Sequence, residues 1–178
     1  MNPAQLRRVT SESFAHYRQG LVELLLDAVA GGASIGFLSD LDAAAATDYF
    51  NAVHAELSHG SRLLWVVVRD EDVVASVQLG LCQKPNGLNR AEVQKLLVRS
   101  DSRGHGLGAQ LMGALESEAR ILGRGLLFLD TESGSGAEAF YQELAYQAAG
   151  QIPDYACSPD GTYRPTSLYY KILQGPRA

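Results

Sequence analysis

The chain has 178 residues, enough to bury a sizeable core, and its 46% hydrophobic and 20% charged residues are those of an ordinary globular protein. A formal net charge of −5 argues against a nucleic-acid binder, which needs a basic face, and suits a cationic small substrate. Cys82 and Cys157 are the only cysteines, so no disulfide framework is expected, and both read as plain buried thiols.

The N-terminus lacks a signal-peptide pattern, and apolar runs such as 63–68 are too short to span a bilayer. One cytoplasmic domain over residues 1–178, with no membrane partner, is the expectation. Residues 6–9 read as an opening strand. Phe14, Tyr17, Leu21, Leu24, Leu25 and Ala28 recur at helical spacing until Gly31-Gly32. A second helix is expected from a cap at Ser39 or Asp40. Leu41, Ala45, Tyr49, Val53 and Leu57 form its stripe, and Gly60 stops it.

Residues 63–69 and 73–81 are rich in β-branched side chains and are joined by Asp70-Glu71-Asp72, a hairpin signal. Asn86-Gly87 marks a further turn, and 91–98 completes an antiparallel meander. Leu107, Leu111, Met112, Leu115, Ala119 and Leu122 predict a helix closed by Gly123. A strand at 126–131, a short helix at 137–144 and strands at 152–157 and 167–173 follow. This order predicts a mixed α/β (α+β) fold, a twisted sheet of about seven strands with helices on both faces. The crossover through the long helix should make strands 91–98 and 126–131 parallel neighbours.

The stretch Arg103-Gly104-His105-Gly106-Leu107-Gly108-Ala109 lies between a strand and a helix. Gly104-x-Gly106-x-x-Ala109, with Asp130 downstream, formally fits a dinucleotide fingerprint. That fold, however, opens on the motif directly after its first strand. Here a polar run, 99–103, intervenes, and three antiparallel-type strands come first. The same residues also read as Arg103-x-x-Gly106-x-Gly108. The free N–H groups of a first helical turn, the helix dipole and an arginine together suit a pyrophosphate.

In this loop, and in Ala137-Glu138-Ala139-Phe140-Tyr141-Gln142-Glu143-Leu144-Ala145-Tyr146, the chain resembles the general control N-acetyltransferase (GNAT) superfamily. That family's signatures are Arg/Gln-x-x-Gly-x-Gly/Ala and Ala-x-x-Phe/Leu-Tyr-x-x-x-Gly-Phe/Tyr. Two positions depart from them: Gly134 stands where many members have Asn, and Ala145 where Gly is common.

The resemblance implies the GNAT fold, acetyl-coenzyme A as cosubstrate and transfer of acetyl to an amine. Leu96, Leu97 and Val98 would offer backbone groups to pantetheine. Arg103, Gly104, His105, Gly106, Leu107, Gly108 and Ala109 would cradle the pyrophosphate, though His105 more simply faces solvent. Tyr141 corresponds to the tyrosine near the coenzyme A sulfur; the alternative is an aromatic that merely packs, as expected for Phe140. A phenol's reference pKa near 10 is close enough to a thiol's for proton transfer.

Glu92 stands where members often deprotonate the amine, and by period two it shares a face with Gln94 and Leu96. Asp130 ends an apolar strand, where a carboxylate must be paired or wet. It is expected to bind the substrate ammonium or share the base role, against a simple cap or turn. Trp65 is expected in the core. His16, His54 and His59 lack metal-ligand spacing, and no metal is expected. A narrower likeness to toxin-acetylating members implies a small amino-acid-like acceptor and detoxification, and a homodimer is left open. The rivals are a non-catalytic acyl-coenzyme A sensor and an acetyltransferase for another amine or a protein N-terminus.

Overall fold

The computed structural model describes residues 3–173. Its strands are β1 (Gln5–Val9), β2 (Arg62–Arg69), β3 (Asp72–Leu81), β4 (Arg90–Val98), β5 (Leu126–Glu132), β6 (Gln147–Cys157) and β7 (Tyr163–Ile172). They form one sheet in the order β1-β2-β3-β4-β5-β7-β6. Four helices accompany them: α1 (Phe14–Ala30), α2 (Ala43–Ser58), α3 (Leu107–Ile121) and α4 (Gly136–Glu143). The element order and mixed sheet agree with the sequence reading. Among the described residues no helix is long and apolar enough to cross a membrane.

Helices cover both faces of the central strands, which explains why β2 is an uninterrupted apolar run. Leu64 and Val66 join Leu21, Leu24, Leu25, Phe50 and Val53 of α1 and α2 in one core. Trp65 and Val67 join Leu111, Met112 and Leu115 of α3 and Tyr141 of α4 in the other. Each fully buried leucine contributes about 1.5–3 kcal/mol, so two such cores clamp the sheet from both sides. Trp65 is a core residue, as expected, with the Arg8 guanidinium 5.1 Å above its ring.

Every strand pairing is antiparallel except β4 with β5, which is parallel as expected. That pair meets only at Arg90–Leu126, Ala91–Leu127 and Glu92–Phe128. Beyond Glu92 the edge of β4 that faces β5 has no strand partner. On its other side β4 carries a bulge: Ser76 faces Leu97 and Gln78 faces Gln94, so Lys95 and Leu96 together oppose Val77. Lys95 takes a left-handed φ of 49° there.

The bulge corrects the period-two expectation for this strand. Ala91 and Val93 belong to the α3 core with Leu96 and Val98 packed against it, whereas Leu97 lies in the α1/α2 core. Leu96 is therefore on the opposite face from Glu92 and Gln94.

Three further expectations shift. Helix α2 is capped by Asp42, not Ser39 or Asp40, because the Asp42 carboxylate accepts the Ala45 N–H at 2.8 Å. Leu41 consequently precedes the helix. Strand β6 begins at Gln147, ahead of the expected 152, and β7 at Tyr163, ahead of 167. Strand β6 is exposed along nearly its whole length, so pairing with β7 defines it and no burial pattern signals it. Cys82 and Cys157 are free thiols, but half-buried rather than buried.

Candidate functional site

The parting of β4 from β5 opens a slot in the sheet, and the glycine loop sits at its mouth between β4 and α3. Gly106 caps α3 with φ 75° and ψ 6°, and among the described residues no side chain caps the first-turn N–H groups. Gly104 has φ 76°, and among the described residues beyond the local backbone no atom lies within 4 Å of where a Cβ would stand on either glycine. The loop is thus open, with helix-start N–H groups available to an anion.

Gly108 is different. A Cβ there would stand 3.1 Å from Phe140 Cζ, so packing of α4 on α3 clears that position. Phe140 is half-buried. Arg103 lies against the loop base, its Nε donating to the Val98 carbonyl at 3.3 Å. His105 is exposed, with Nδ1 3.2 Å from the Ser102 carbonyl.

On the α2 side of the sheet is a cavity of about 330 Å³, lined among others by Glu56, Arg62, Glu92, Gln94 and Phe128. Glu92 and Phe128 are the last paired residues before β4 and β5 separate, so the cavity adjoins the slot. Its wall is a hydrogen-bonded chain. Arg62 Nε donates to Glu56 Oε2 at 2.6 Å, and Arg62 Nη1 donates to Gln78 Oε1 at 2.8 Å and to Gln94 Oε1. Gln94 Nε2 then donates to Glu92 Oε2 at 2.7 Å. Gln78 Oε1 also accepts from the Tyr49 hydroxyl at 3.1 Å, while its buried Nε2 has no partner among the described residues. This chain holds the Glu92 carboxylate in a defined position. Desolvation by burial raises the Tyr49 phenol above its usual pKa.

Asp130 is exposed on β5 and accepts the Thr166 hydroxyl at 3.0 Å. The requirement that it be paired or wet is met on both counts. It lies two residues past Phe128, on the same face of β5 as the cavity lining. Tyr141 is buried, and burial first and the Asp130 charge second push its phenol up to about 12. Glu92 and Asp130 both act on Lys95, whose pKa burial and the neighbouring Arg62 lower while the two carboxylates oppose that shift. Glu92, Asp130 and Tyr141 thus share one electrostatic neighbourhood, linked through Asp130.

Sequence reasoning missed Glu56, Arg62, Gln78 and Lys95. The signal for Gln78 was present, since it is a polar residue amid the β-branched run of β3. Nothing in the chain's periodicity marks Lys95 as the residue inserted in the bulge. Among the described residues no group of His, Cys, Asp or Glu could hold a metal ion.

A sequence profile of the Acetyltransferase (GNAT) family matches residues 35–146. The chain is 27% identical over 135 residues to an L-methionine sulfoximine/L-methionine sulfone acetyltransferase of Pseudomonas paraeruginosa, spanning 75% of this chain and 77% of that one. Its fold is that of yncA from Salmonella typhimurium, solved with its cofactor acetyl-CoA. That likeness has a TM-score of 0.81 at 20% identity and covers 99% of this chain and 98% of that one. Ribosomal-protein-alanine N-acetyltransferase of Brucella melitensis shares the fold too, with TM-score 0.78, 20% identity and coverage of 94% and 99%. With the profile spanning both the glycine loop and the Phe140-Tyr141 segment, the chain belongs to the GNAT family of acetyltransferases.

Proposed function

We propose that this acetyltransferase moves acetyl from acetyl-coenzyme A to the α-amino group of a small amino-acid-like molecule. The observation that carries this reading is the cavity of about 330 Å³ beside the slot, with the Glu92 carboxylate fixed in its wall. That volume suits a small molecule. The P. paraeruginosa relative, named for methionine derivatives, supports the acceptor class. The sequence's resemblance to toxin-acetylating members of the family supports tabtoxinine-β-lactam as the acceptor and cytoplasmic toxin detoxification as the role.

Bound acetyl-coenzyme A supplies an activated thioester carbonyl. The open loop would hold its pyrophosphate through Arg103, Gly104, His105, Gly106, Leu107, Gly108 and Ala109. The unpartnered edge of β4 at Leu96, Leu97 and Val98 would hold its pantetheine. Glu92 takes the proton of the acceptor ammonium, and Asp130 attracts that ammonium into place. Burial and the Asp130 charge push the Tyr141 phenol up to about 12, so it stays protonated and can hydrogen-bond the departing sulfur. Passing its proton on is harder than for an ordinary phenol and relies on the sulfur's developing charge.

The test is release of free thiol from acetyl-coenzyme A by purified protein. The acceptors are L-methionine sulfone, L-methionine sulfoximine, tabtoxinine-β-lactam, simple amines and a peptide N-terminus. Turnover is expected with the amino acids and should fall at least roughly tenfold in Glu92→Gln and Tyr141→Phe. Thiol release confined to the peptide would overturn the acceptor assignment, and none with any acceptor would favour the sensor.

A further inference from the structure

Lys95 is the residue that the bulge adds to β4. Its ammonium stands 5.9 Å from the Phe37 ring centre and 5.7 Å from that of Tyr49. These two rings meet edge to face at 5.3 Å. The ammonium also reaches the loop before α2, lying 3.8 Å from where a Cβ on Gly36 would stand. Among the described residues Lys95 makes no hydrogen bond or ion pair. Three N–H donors are thus held in a partly desolvated setting against two ring faces, with no acceptor in hydrogen-bond reach among the described residues. An ammonium there is costly to keep unless an anion completes it.

The position is informative. Lys95 directly follows Gln94, a wall residue of the cavity, at the point where β4 has left β5. The carboxylates of Glu92 and Asp130 lie close enough to act on its charge, and they are the groups placed to receive an ammonium. One end of the site is therefore acidic and the other carries an unsatisfied cation. An α-amino acid presents the complementary pair on a single carbon.

We propose that Lys95 receives the α-carboxylate of the acceptor and so selects amino acids over simple amines. This assignment rests on the amino-acid acceptor proposed above. Arg62 is less suited to the task, because its Nε and Nη1 already donate to Glu56, Gln78 and Gln94 and hold it in the cavity wall. Phe37 and Tyr49 hold the Lys95 side chain in place, and the left-handed bulge aims it toward the α2 side.

The experiment compares L-methionine sulfone with 3-(methylsulfonyl)propan-1-amine, its counterpart without the carboxylate. It measures kcat/KM for wild type, Lys95→Met, Lys95→Gln and Lys95→Arg. A charge-assisted hydrogen bond carries roughly a 10- to 100-fold effect, so the wild-type preference for the acid should fall by about that factor in Lys95→Met. Lys95→Gln, which retains shape and polarity, provides the same readout should the Met variant fold poorly. Lys95→Arg should recover part of the preference, chiefly through KM.

A ratio that stays within about twofold of wild type in both Lys95→Met and Lys95→Gln overturns the assignment, even if both rates drop together. Wild type that acetylates both acceptors with a ratio near one overturns the role of Lys95 alone. Wild type that acetylates neither overturns the amino-acid reading, and the assignment falls with it.

Discussion

Replacing Gly106 and Gly108 by alanine, one at a time, separates two reasons for glycine in one loop. At Gly106 the backbone has φ 75° with open space around the missing Cβ. Alanine in this left-handed region costs about 1–2 kcal/mol, offset by about 0.4–1 kcal/mol from a less flexible unfolded chain. The net is a loss of about 1 kcal/mol, or a shift of the loop to avoid it. A shifted loop misaligns the first-turn N–H groups. Losing one such bond to a charged phosphate oxygen raises the KM for acetyl-coenzyme A roughly 10- to 100-fold.

At Gly108 the φ is not positive, and alanine gains up to about 1 kcal/mol in helix propensity. Its Cβ would stand 3.1 Å from Phe140 Cζ, so the half-buried ring must yield by a few tenths of an ångström. Gain and strain nearly cancel, and the acetyl-coenzyme A KM should move less than about threefold. Urea unfolding and steady-state kinetics on both variants check this. If Gly106→Ala keeps both stability and KM within error, or if Gly108→Ala is the more damaging for cofactor binding, the division of roles is wrong.

Three other outcomes are expected. The Tyr141 phenol, pushed up to about 12, keeps its proton where the unfolded chain has lost it, so this group's contribution to stability is present below pH 10 and lost as pH rises to 12. Tyrosinate absorbance of wild type and Tyr141→Phe should therefore coincide at pH 11, and one extra ionised phenol in wild type there would contradict the burial argument. Lys171 donates to both Glu116 oxygens at 2.9 Å and to the Leu144 carbonyl at 2.8 Å, in a largely buried setting. Glu116→Gln should cost about 2–4 kcal/mol in urea unfolding while the double variant Glu116→Leu/Lys171→Met recovers most of it, and a single-variant cost below about 0.5 kcal/mol would refute that. In the β2–β3 turn, Asp70 and Glu71 have φ of 49° and 74°. Glu71→Gly should raise stability by about 0.5–1 kcal/mol in thermal unfolding, and a decrease would contradict the strain.

The sequence was most legible where one physical signal acted alone. Leu107, Leu111, Met112 and Leu115 mark α3 because one face of a helix meets one core, and the β-branched runs mark β2 and β3 because both their faces are buried. Where hydrogen bonding rather than burial defines an element, the pattern is silent, as along the exposed residues of β6. The start of α2 was misplaced because Ser39, Asp40 and Asp42 can all cap, and only the actual backbone path selects the one that reaches the Ala45 N–H. Glu92, Asp130 and Tyr141 carry signals in the chain itself: carboxylates at the ends of strands and a tyrosine in a recognisable segment. The path from Glu56 through Arg62 and Gln94 to Glu92 carries none, since it joins a helix to three strands across long sequence separations.

Numbered without Lys95, β4 alternates regularly: Ala91, Val93, Leu96 and Val98 on one side, Glu92, Gln94 and Leu97 on the other. Packing therefore has no need of the surplus residue; a shorter strand would satisfy both cores equally well. The extra residue stands just past the last β4–β5 pair, and a bulge of this kind bends its strand. Excising Lys95 should let the parallel ladder run past Glu92 and Phe128 and raise the stability of the sheet in urea unfolding. The surplus lysine thus serves neither core, and it marks the place where the sheet gives up its ladder.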